Sequence, residues 1–365
     1  MLRVLHVFGR LMRGGAELRT IELAESFSGR RVQSDFLVLS GLDGPLDDRV
    51  RTAGGDVIKC ALDHRFPLRF YRLLRERRYD VVHSHVHYFS GVILAIARLA
   101  HTRCRVAHLH TAIVNDREDT VGRRAQLAAC RRLIQIAATD ILAVGEGAMQ
   151  GAWCPRWQGD LRCRVVYNGI PTERLRHLHV RTPEAAGVIN VASIQPLKNQ
   201  LRLVGILRHS IRDLPDLSLR LVGREVADYG ATVRRAAQEA GLADRVHFVG
   251  EVDEPMPLIA ASRLMILPSL WEGLPSAVLE ACAVGIPVLA ADLPGTRELA
   301  RHFPNLCLMP LAEQDQAWAA AAVRLVRQPP IPTPEAEARF ARSPFTVVRS
   351  RETHYQIWSR VRASA

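Results

Sequence analysis

Apolar and polar positions along the chain repeat one pattern twice. Short runs rich in Val, Ile and Leu occur at 3–9, 35–40, 56–60, 80–83, 105–109, 140–144 and 164–167. Longer stretches with helical spacing, such as 15–28, 67–78, 89–100 and 120–137, lie between them. Continuous apolar strands separated by helices predict a parallel sheet covered on both faces. A polar, Pro-containing segment at 171–187 reads as a linker. The pattern then restarts at 187–192, 217–222, 246–249, 263–267, 286–290 and 306–309. A Pro-rich interruption at 328–334 precedes a last predicted helix over 345–361, with Val348, Tyr355 and Trp358 as its apolar points. The 365 residues suit two domains better than one core. The expectation is an α/β chain of two Rossmann-like domains, an N-terminal one over 1–178 and a C-terminal one over 187–342. Residues 343–365 are expected to pack back on the first.

Composition changes this picture in three ways. No window of 18 residues is both apolar and uncharged, so no transmembrane helix is expected. The N-terminal apolar run is too short for a signal peptide, and the expected location is the cytoplasm. The seven cysteines form no C-x-x-C pair, which argues against a disulfide framework and a four-cysteine zinc site. The net charge of +12 sits mostly in one half: residues 1–180 hold 28 Lys and Arg against 18 Asp and Glu. Such a surface attracts anionic membranes, phosphorylated substrates or nucleic acid. Nucleic acid is not expected as a partner, because aromatic content is 6% and no recognised motif is present.

In parallel sheets, ligands bind at the carboxyl ends of strands. The segment Leu267-Pro268-Ser269-Leu270-Trp271-Glu272-Gly273-Leu274-Pro275-Ser276 follows a predicted strand and opens a helix that contains Glu280. Helix-start amides suit phosphate, and carboxylates suit the hydroxyls of sugar and ribose rings. Glu280 also has a plain reading as a helix-cap or salt-bridge residue. Gly14-Gly15 follows the first strand and precedes a helix, where paired glycines allow close approach and positive φ, and their amides with the helix dipole make a phosphate cradle. Lys198, one of only two lysines, follows the first strand of the second half. Histidines cluster at 83, 85, 87, 101, 108 and 110. His83, His85 and His87 alternate along a strand and could ligate zinc, which would make a metal-dependent hydrolase. The simpler reading places His85 and His110 just after two strands, with His108 as a packing residue. The Arg-rich stretches 65–78 and 123–132 flank the first domain, and Phe66, Phe70, Leu73 and Leu74 make one helical face that could lie on an anionic membrane.

The spacing of Glu272 and Glu280, within Pro268-Ser269…Glu272-Gly273-Leu274-Pro275…Glu280-Ala281, resembles the signature of retaining GT-B glycosyltransferases of family 4. Gly285-Ile286-Pro287-Val288, Pro294-Gly295-Thr296, Leu221-Val222-Gly223, Phe248-Val249-Gly250 and Tyr167-Asn168-Gly169-Ile170 agree with it. The resemblance implies a GT-B fold with an interdomain cleft. It implies transfer of a sugar from a nucleoside diphosphate sugar, UDP-sugar favoured, to a hydroxyl of a glycan or lipid-linked acceptor. It also implies retention of configuration. The setting would be cell-surface polysaccharide or glycolipid synthesis, at the inner face of the membrane.

By the same resemblance Glu272, His110 and Lys198 are catalytic. Gly14, Gly15, Ser193, Lys198, Arg224, Gly273, Leu274, Pro275, Ser276 and Glu280 bind the donor. For His85 two readings stay open, a contact on the acceptor side and a structural role. Ser193 stands where the family has an Arg, and Arg224 is a candidate substitute for that cation. No metal or other cofactor is expected: the chain has no D-x-D, and Lys198 and helix ends would supply the charge. The missing Arg leaves a second reading open, a carbohydrate-binding or scaffold protein on the same fold that no longer turns over.

Overall fold

A computed structural model of the chain describes residues 1–27, 31–111, 120–176, 178 and 186–363. It divides into two compact units, Met1–Pro171 with Pro344–Ala365, and Thr172–Ser343. The expected linker at 171–187 falls in large part on residues 177 and 179–185, outside the described residues. Thr172–Arg174 is a 3-10 turn that belongs to the second unit.

The first unit is built on β1 (Leu2–Phe8), β2 (Val32–Val38), β3 (Val57–Lys59), β4 (Val81–Ser84), β5 (Cys104–Leu109), β6 (Asp140–Ala143) and β7 (Cys163–Val165). All pairs are parallel, in the order β3-β2-β1-β4-β5-β6-β7. The chain winds outward from β1 to β3, then returns to the other side of β1 with β4. The carboxyl ends of β1 and β4 therefore flank the point where the winding reverses, which is where such sheets open a crevice.

The Val347–Ala363 helix covers one face of this sheet. Its Ile357 and Trp358 pack with Leu2, Val4, Phe27, Val81 and Val106. The returning chain is clamped beforehand by the Ile170 amide, which donates to Phe345 (2.9 Å), and the Val347 amide, which donates to Ile170 (3.1 Å). Gly169 makes that clamp possible, because a Cβ there would lie 2.5 Å from the Val347 backbone.

The second unit holds β8 (Ala186–Val191), β9 (Leu219–Val222), β10 (Val246–Gly250), β11 (Ser262–Leu267), β12 (Val288–Ala291) and β13 (Leu306–Met309). They are again all parallel, in the order β10-β9-β8-β11-β12-β13. The reversal falls between β8 and β11. Val188, Leu219, Leu221, Leu264 and Ile266 pack beneath Leu203, Leu207 and the fully buried Trp318. Every predicted strand is present, each shifted by three residues or fewer at either end.

The apolar face expected to lie on a membrane is spent inside the first unit. In the Phe66–Arg77 helix, Phe66, Phe70 and Leu74 are buried, while Arg69 pairs with Asp63 and Arg77 with Asp56. The basic Val121–Ala137 helix is different: it buries only Ile134 and Ala137 and leaves Val121 and Ile136 exposed. Among the described residues no helix is long and apolar enough to cross a membrane.

Because Trp358 is fully buried against the sheet, Trp358→Ala is expected to cost about 3–5 kcal/mol. Urea unfolding followed in the first unit checks this; a loss below about 1 kcal/mol would mean that the last helix contributes little to that core.

Candidate active site

In the second unit the loops after β8 and β11 meet at the sheet's reversal. The Leu270 amide donates to Leu197 (2.9 Å), and Asn199 Nδ2 donates to Pro268 (3.2 Å). Asn199 takes a left-handed conformation (φ 56°) between the 3-10 turn Pro196–Lys198 and the Gln200–Ser210 helix, and this turn aims Lys198 at the neighbouring loop. Lys198 Nζ lies 2.7 Å from Glu272 Oε1, with both side chains largely covered. The two residues singled out from separate parts of the sequence thus form one ion pair.

Glu272 leads into Gly273, Leu274 and Pro275, which are buried, and then into the Ser276–Val284 helix. Pro275 stands at its N-cap in extended conformation and offers no side-chain cap. The helix-start amides are therefore not used by a cap, as a site for phosphate or hydroxyl oxygens requires. The loop is held from below by the next helix start: a Cβ on Gly295 would lie 1.7 Å from the Gly273 carbonyl oxygen. Thr296 Oγ1 closes that second start by donating to Ala291 (2.6 Å) and accepting from the Leu293 amide (2.9 Å). The sequence pattern marked Pro294-Gly295-Thr296 as part of the resemblance; its physical task is to seat the Glu272 loop.

Glu280, a turn further along the helix, is 3% exposed. Its Oε1 lies 3.8 Å from Arg174 Nη1, and Arg174 Nη2 lies 2.7 Å from Glu254. Arg174 escaped sequence reasoning because it lies in the segment read as linker, where nothing in the local pattern distinguishes one Arg from its neighbours.

Ser193 Oγ accepts from Gln195 Nε2 (2.7 Å), and the Ser193 carbonyl accepts from Gln200 Nε2 (3.0 Å). The strand end at Gly223 presses on this loop: at φ 147° its Cβ would lie 2.1 Å from the Ala192 carbonyl oxygen. The Ile194 amide donates to Arg224 (2.8 Å), so the exposed Arg224 stands directly beside Ser193.

In the first unit, Gly14 is the N-cap of the Gly15–Ser26 helix, at φ −101° and ψ 158°. The positive φ expected for the glycine pair is absent: neither Gly14 nor Gly15 is in the left-handed region. What a Cβ on Gly14 would meet is the Glu17 carboxylate, 2.3 Å away. Glu17 curls back over its own helix start, and burial raises its pKa. The expected phosphate cradle thus holds a carboxyl group in this structure.

The histidines form a buried array. His85 stacks on Phe8 with ring centroids 4.3 Å apart, and its two nitrogens lie 3.1 Å from His6 Nδ1 and 2.8 Å from His110 Nε2. His83 Nε2 lies 3.1 Å from His108 Nδ1, and His354 of the last helix joins them from the opposite side. His110 follows β5 directly. Both ring nitrogens of His85 are thus engaged by neighbouring imidazoles. His87 turns away on left-handed backbone (φ 52°) against Tyr88. Among the described residues, the groups whose ring nitrogens approach within 4.8 Å are His6, His83 and His85; His83, His108 and His354; and His85, His108 and His110. The triple His83/His85/His87 expected for a hydrolase is not among them, because the strand ends at Ser84 and its alternation stops before His87.

Two parallel sheets, each with its chemistry beside the reversal, define the two-domain GT-B class. Residues 13–174 match the model of Glycosyltransferase Family 4, and residues 185–328 match that of the glycosyl transferases group 1. Matching most of its length in these two parts, the chain belongs to the family 4 type of GT-B glycosyltransferases. The capsular polysaccharide biosynthesis glycosyltransferase CapH of Staphylococcus aureus is 28% identical over 332 residues, 89% of this chain and 91% of its own. The putative glycosyltransferase EpsF of Bacillus subtilis strain 168 is 27% identical over 338 residues, 88% and 87% of the two chains. HepE of Anabaena, solved in complex with UDP-glucose, shares the fold with a TM-score of 0.79 over the whole of both chains at 21% identity.

Two outcomes follow from this geometry. Gly295→Ala must displace the Gly273 carbonyl. It is expected to cost about 1–3 kcal/mol and to lower kcat/KM by about tenfold or more, read by melting and by transfer kinetics; unchanged kinetics would free the Glu272 loop from this contact.

Burial pushes His6 and His110 down to about 3 and His354 to about 4, and holds His83 and His108 well below 6.5. Their folded pKa values lie below the unfolded value, so the unfolded chain binds more protons as pH falls. Stability is then whole above about pH 6.5 and is lost below it, by about 1.4 kcal/mol per pH unit for each fully buried imidazole. Urea unfolding at pH 7.5 and 5.5 checks this, and equal midpoints would contradict it.

Proposed function

We propose that this glycosyltransferase moves a sugar from a nucleoside diphosphate sugar, with UDP-sugar favoured, to a hydroxyl of a glycan or lipid-linked acceptor in cell-surface polysaccharide or glycolipid synthesis. The observation that carries this reading is the Lys198–Glu272 pair beside an uncapped helix start, at the reversal of the second sheet. Lys198 supplies positive charge for a diphosphate leaving group, where negative charge develops as the bond to the anomeric carbon breaks. Glu272 and the amides of Gly273, Leu274 and Ser276 face sugar hydroxyls and the distal phosphate. Glu280 accepts from ribose hydroxyls, with Arg174 balancing its charge. Arg224, beside Ser193, takes the place of the family's missing Arg.

Retention of configuration rests on the resemblance, as does transfer without a bound metal. The polysaccharide setting is supported by CapH, whose name assigns it to capsular polysaccharide biosynthesis. The UDP-sugar is supported by the complex of HepE with UDP-glucose. On this reading His110 bonds a hydroxyl of the donor sugar, and Gly14 and Gly15 approach the diphosphate.

Transfer is measured across a panel of nucleotide sugars with chelator present. Glu272→Ala and Lys198→Ala are each expected to lower kcat/KM by about a hundredfold or more, and Arg224→Ala by about tenfold. Full activity of both Glu272→Ala and Lys198→Ala would sink the site assignment. Tight binding of a nucleotide sugar with no transfer to any acceptor would instead favour the scaffold reading, which the absent Arg at Ser193 keeps alive.

The basic first half of the chain (28 Lys and Arg against 18 Asp and Glu in residues 1–180) and the exposed Val121–Ala137 helix also support binding to anionic membrane. Sedimentation with anionic vesicles at low salt is expected to carry the protein down. Failure to sediment would remove the membrane from the reading.

A further inference from the structure

The first unit buries imidazoles where parallel sheets normally bury aliphatic side chains. Register sets His6 of β1 beside His83 of β4, and alternation along β4 and β5 brings His85, His108 and His110 to the same face. His6 and His83 are fully buried, and His6 is stacked on Phe36 and edged by Trp358. Within this face His6, His85 and His110 form one hydrogen-bonded row, from His6 Nδ1 to His85 Nε2 (3.1 Å) and from His85 Nδ1 to His110 Nε2 (2.8 Å).

Burial and the neighbouring rings of His83, His87, His108 and His354 hold all three imidazoles neutral at neutral pH. A neutral imidazole carries one N–H and one lone pair. His85 uses both nitrogens, so it donates to one neighbour and accepts from the other. The three tautomers are therefore set together, and only two arrangements satisfy both bonds. In the first, His6 Nδ1–H donates to His85 Nε2, His85 Nδ1–H donates to His110 Nε2, and His110 carries its proton on Nδ1. In the second every bond reverses, and the spare N–H sits on His6 Nε2.

His6 Nε2 and His110 Nδ1, the two ends of the row, have no partner among the described residues. One end must hold an N–H and the other a lone pair. A buried N–H without an acceptor is the rarer and costlier orphan. His6 lies under the last helix, where no ligand oxygen can reach it. His110 is half-buried as a residue, though its Nδ1 is itself covered, and it follows the carboxyl end of β5, one strand from the sheet's reversal. The first arrangement places the N–H at the end nearer the carboxyl ends of the strands, the side on which parallel sheets bind ligands.

We propose that His6 and His85 are positioning residues that hold His110 in its Nδ1–H tautomer, so that His110 meets an oxygen of the sugar donor as a hydrogen-bond donor and not as a base. This rests on the reading of His110 given under the proposed function, and it assigns a task to two histidines that the transfer reaction otherwise leaves unused. The row also explains why His85 cannot contact an acceptor: both its nitrogens are taken.

The test uses the full chain labelled with 15N-histidine at pH 7.5, where long-range 1H–15N spectra show which ring nitrogen holds each proton. The expected result is Nδ1–H at His6, His85 and His110. Nε2–H at His110 overturns the proposal, as does movement of these signals when a chelator is added, which would place a metal among the rings.

Two variants separate positioning from packing. His6→Asn keeps an amide N–H close to the place of Nδ1, whereas His6→Phe keeps a ring against Phe36 and Trp358 but removes the donor. The Phe variant is expected to give mixed tautomers at His110 and a kcat about tenfold lower, with KM for the nucleotide sugar within about twofold. The Asn variant is expected to keep Nδ1–H at His110 and to recover kcat to within about threefold of the native chain. Packing alone would favour Phe over Asn, and that order overturns the proposal. The spectra need no turnover. If they come out as expected while His110→Ala transfers at the native rate, the tautomer row stands and the transfer role of His110 fails.

Discussion

The second unit depends on one stitch between two loops, the hydrogen bond from the Leu270 amide to the Leu197 carbonyl at 2.9 Å. Parallel strands end with their peptide groups pointing into the crevice, and loops leaving adjacent strands are free to diverge unless something joins them. Here β8 and β11 are neighbours because the winding reverses between them, so their loops leave side by side. The stitch and the Asn199 amide then fix the loops in register. Lys198 can reach Glu272 only because of this, since the residues are 74 positions apart in the chain. Buried polar side chains support the arrangement from inside: Asn190 donates to Ile266 (2.8 Å), which joins β8 to β11, and Gln200 donates to Ser193 (3.0 Å), which holds the loop after β8. Such groups are costly to bury unless paired; here the partners are the backbone of β11 for Asn190 and of the loop after β8 for Gln200.

The first unit meets the same demand differently. Its sheet face is aliphatic at the amino ends of the strands, with Leu2, Val4, Val81 and Val106, and becomes imidazole towards the carboxyl ends, with His6, His83, His85, His108 and His110. The last helix covers both parts, placing Ile357 and Trp358 over the first and His354 over the second. Neutral imidazoles in a dry layer bond one another, and each bond dictates the tautomer of the next ring. The result is a rigid polar wall whose outer end is His110. Its cost is sensitivity to acid, since every ring in the layer resists taking up a proton that the unfolded chain accepts.

Much of this was legible in the chain itself. Runs of Val, Ile and Leu separated by helical spacing determined both sheets and their parallel sense, because strands buried on both faces need no alternation. The Glu272-to-Glu280 segment, Lys198 and the returning helix with Trp358 were also readable, because each rests on local chemistry: a helix start, a rare cation, an apolar stripe. Only the tertiary structure decided which of these meet. It paired Lys198 with Glu272, brought Arg174 out of the linker to Glu280, put the Glu17 carboxyl where the glycine pair had promised room for phosphate, and packed the Phe66–Arg77 face inward. It replaced the triple His83, His85 and His87 by a row that begins on β1 and ends at His110. The reason is physical. Periodicity and residue type report what a segment does to its own backbone and to water, whereas contacts between strand ends depend on strand order, and strand order is set by how the whole chain winds.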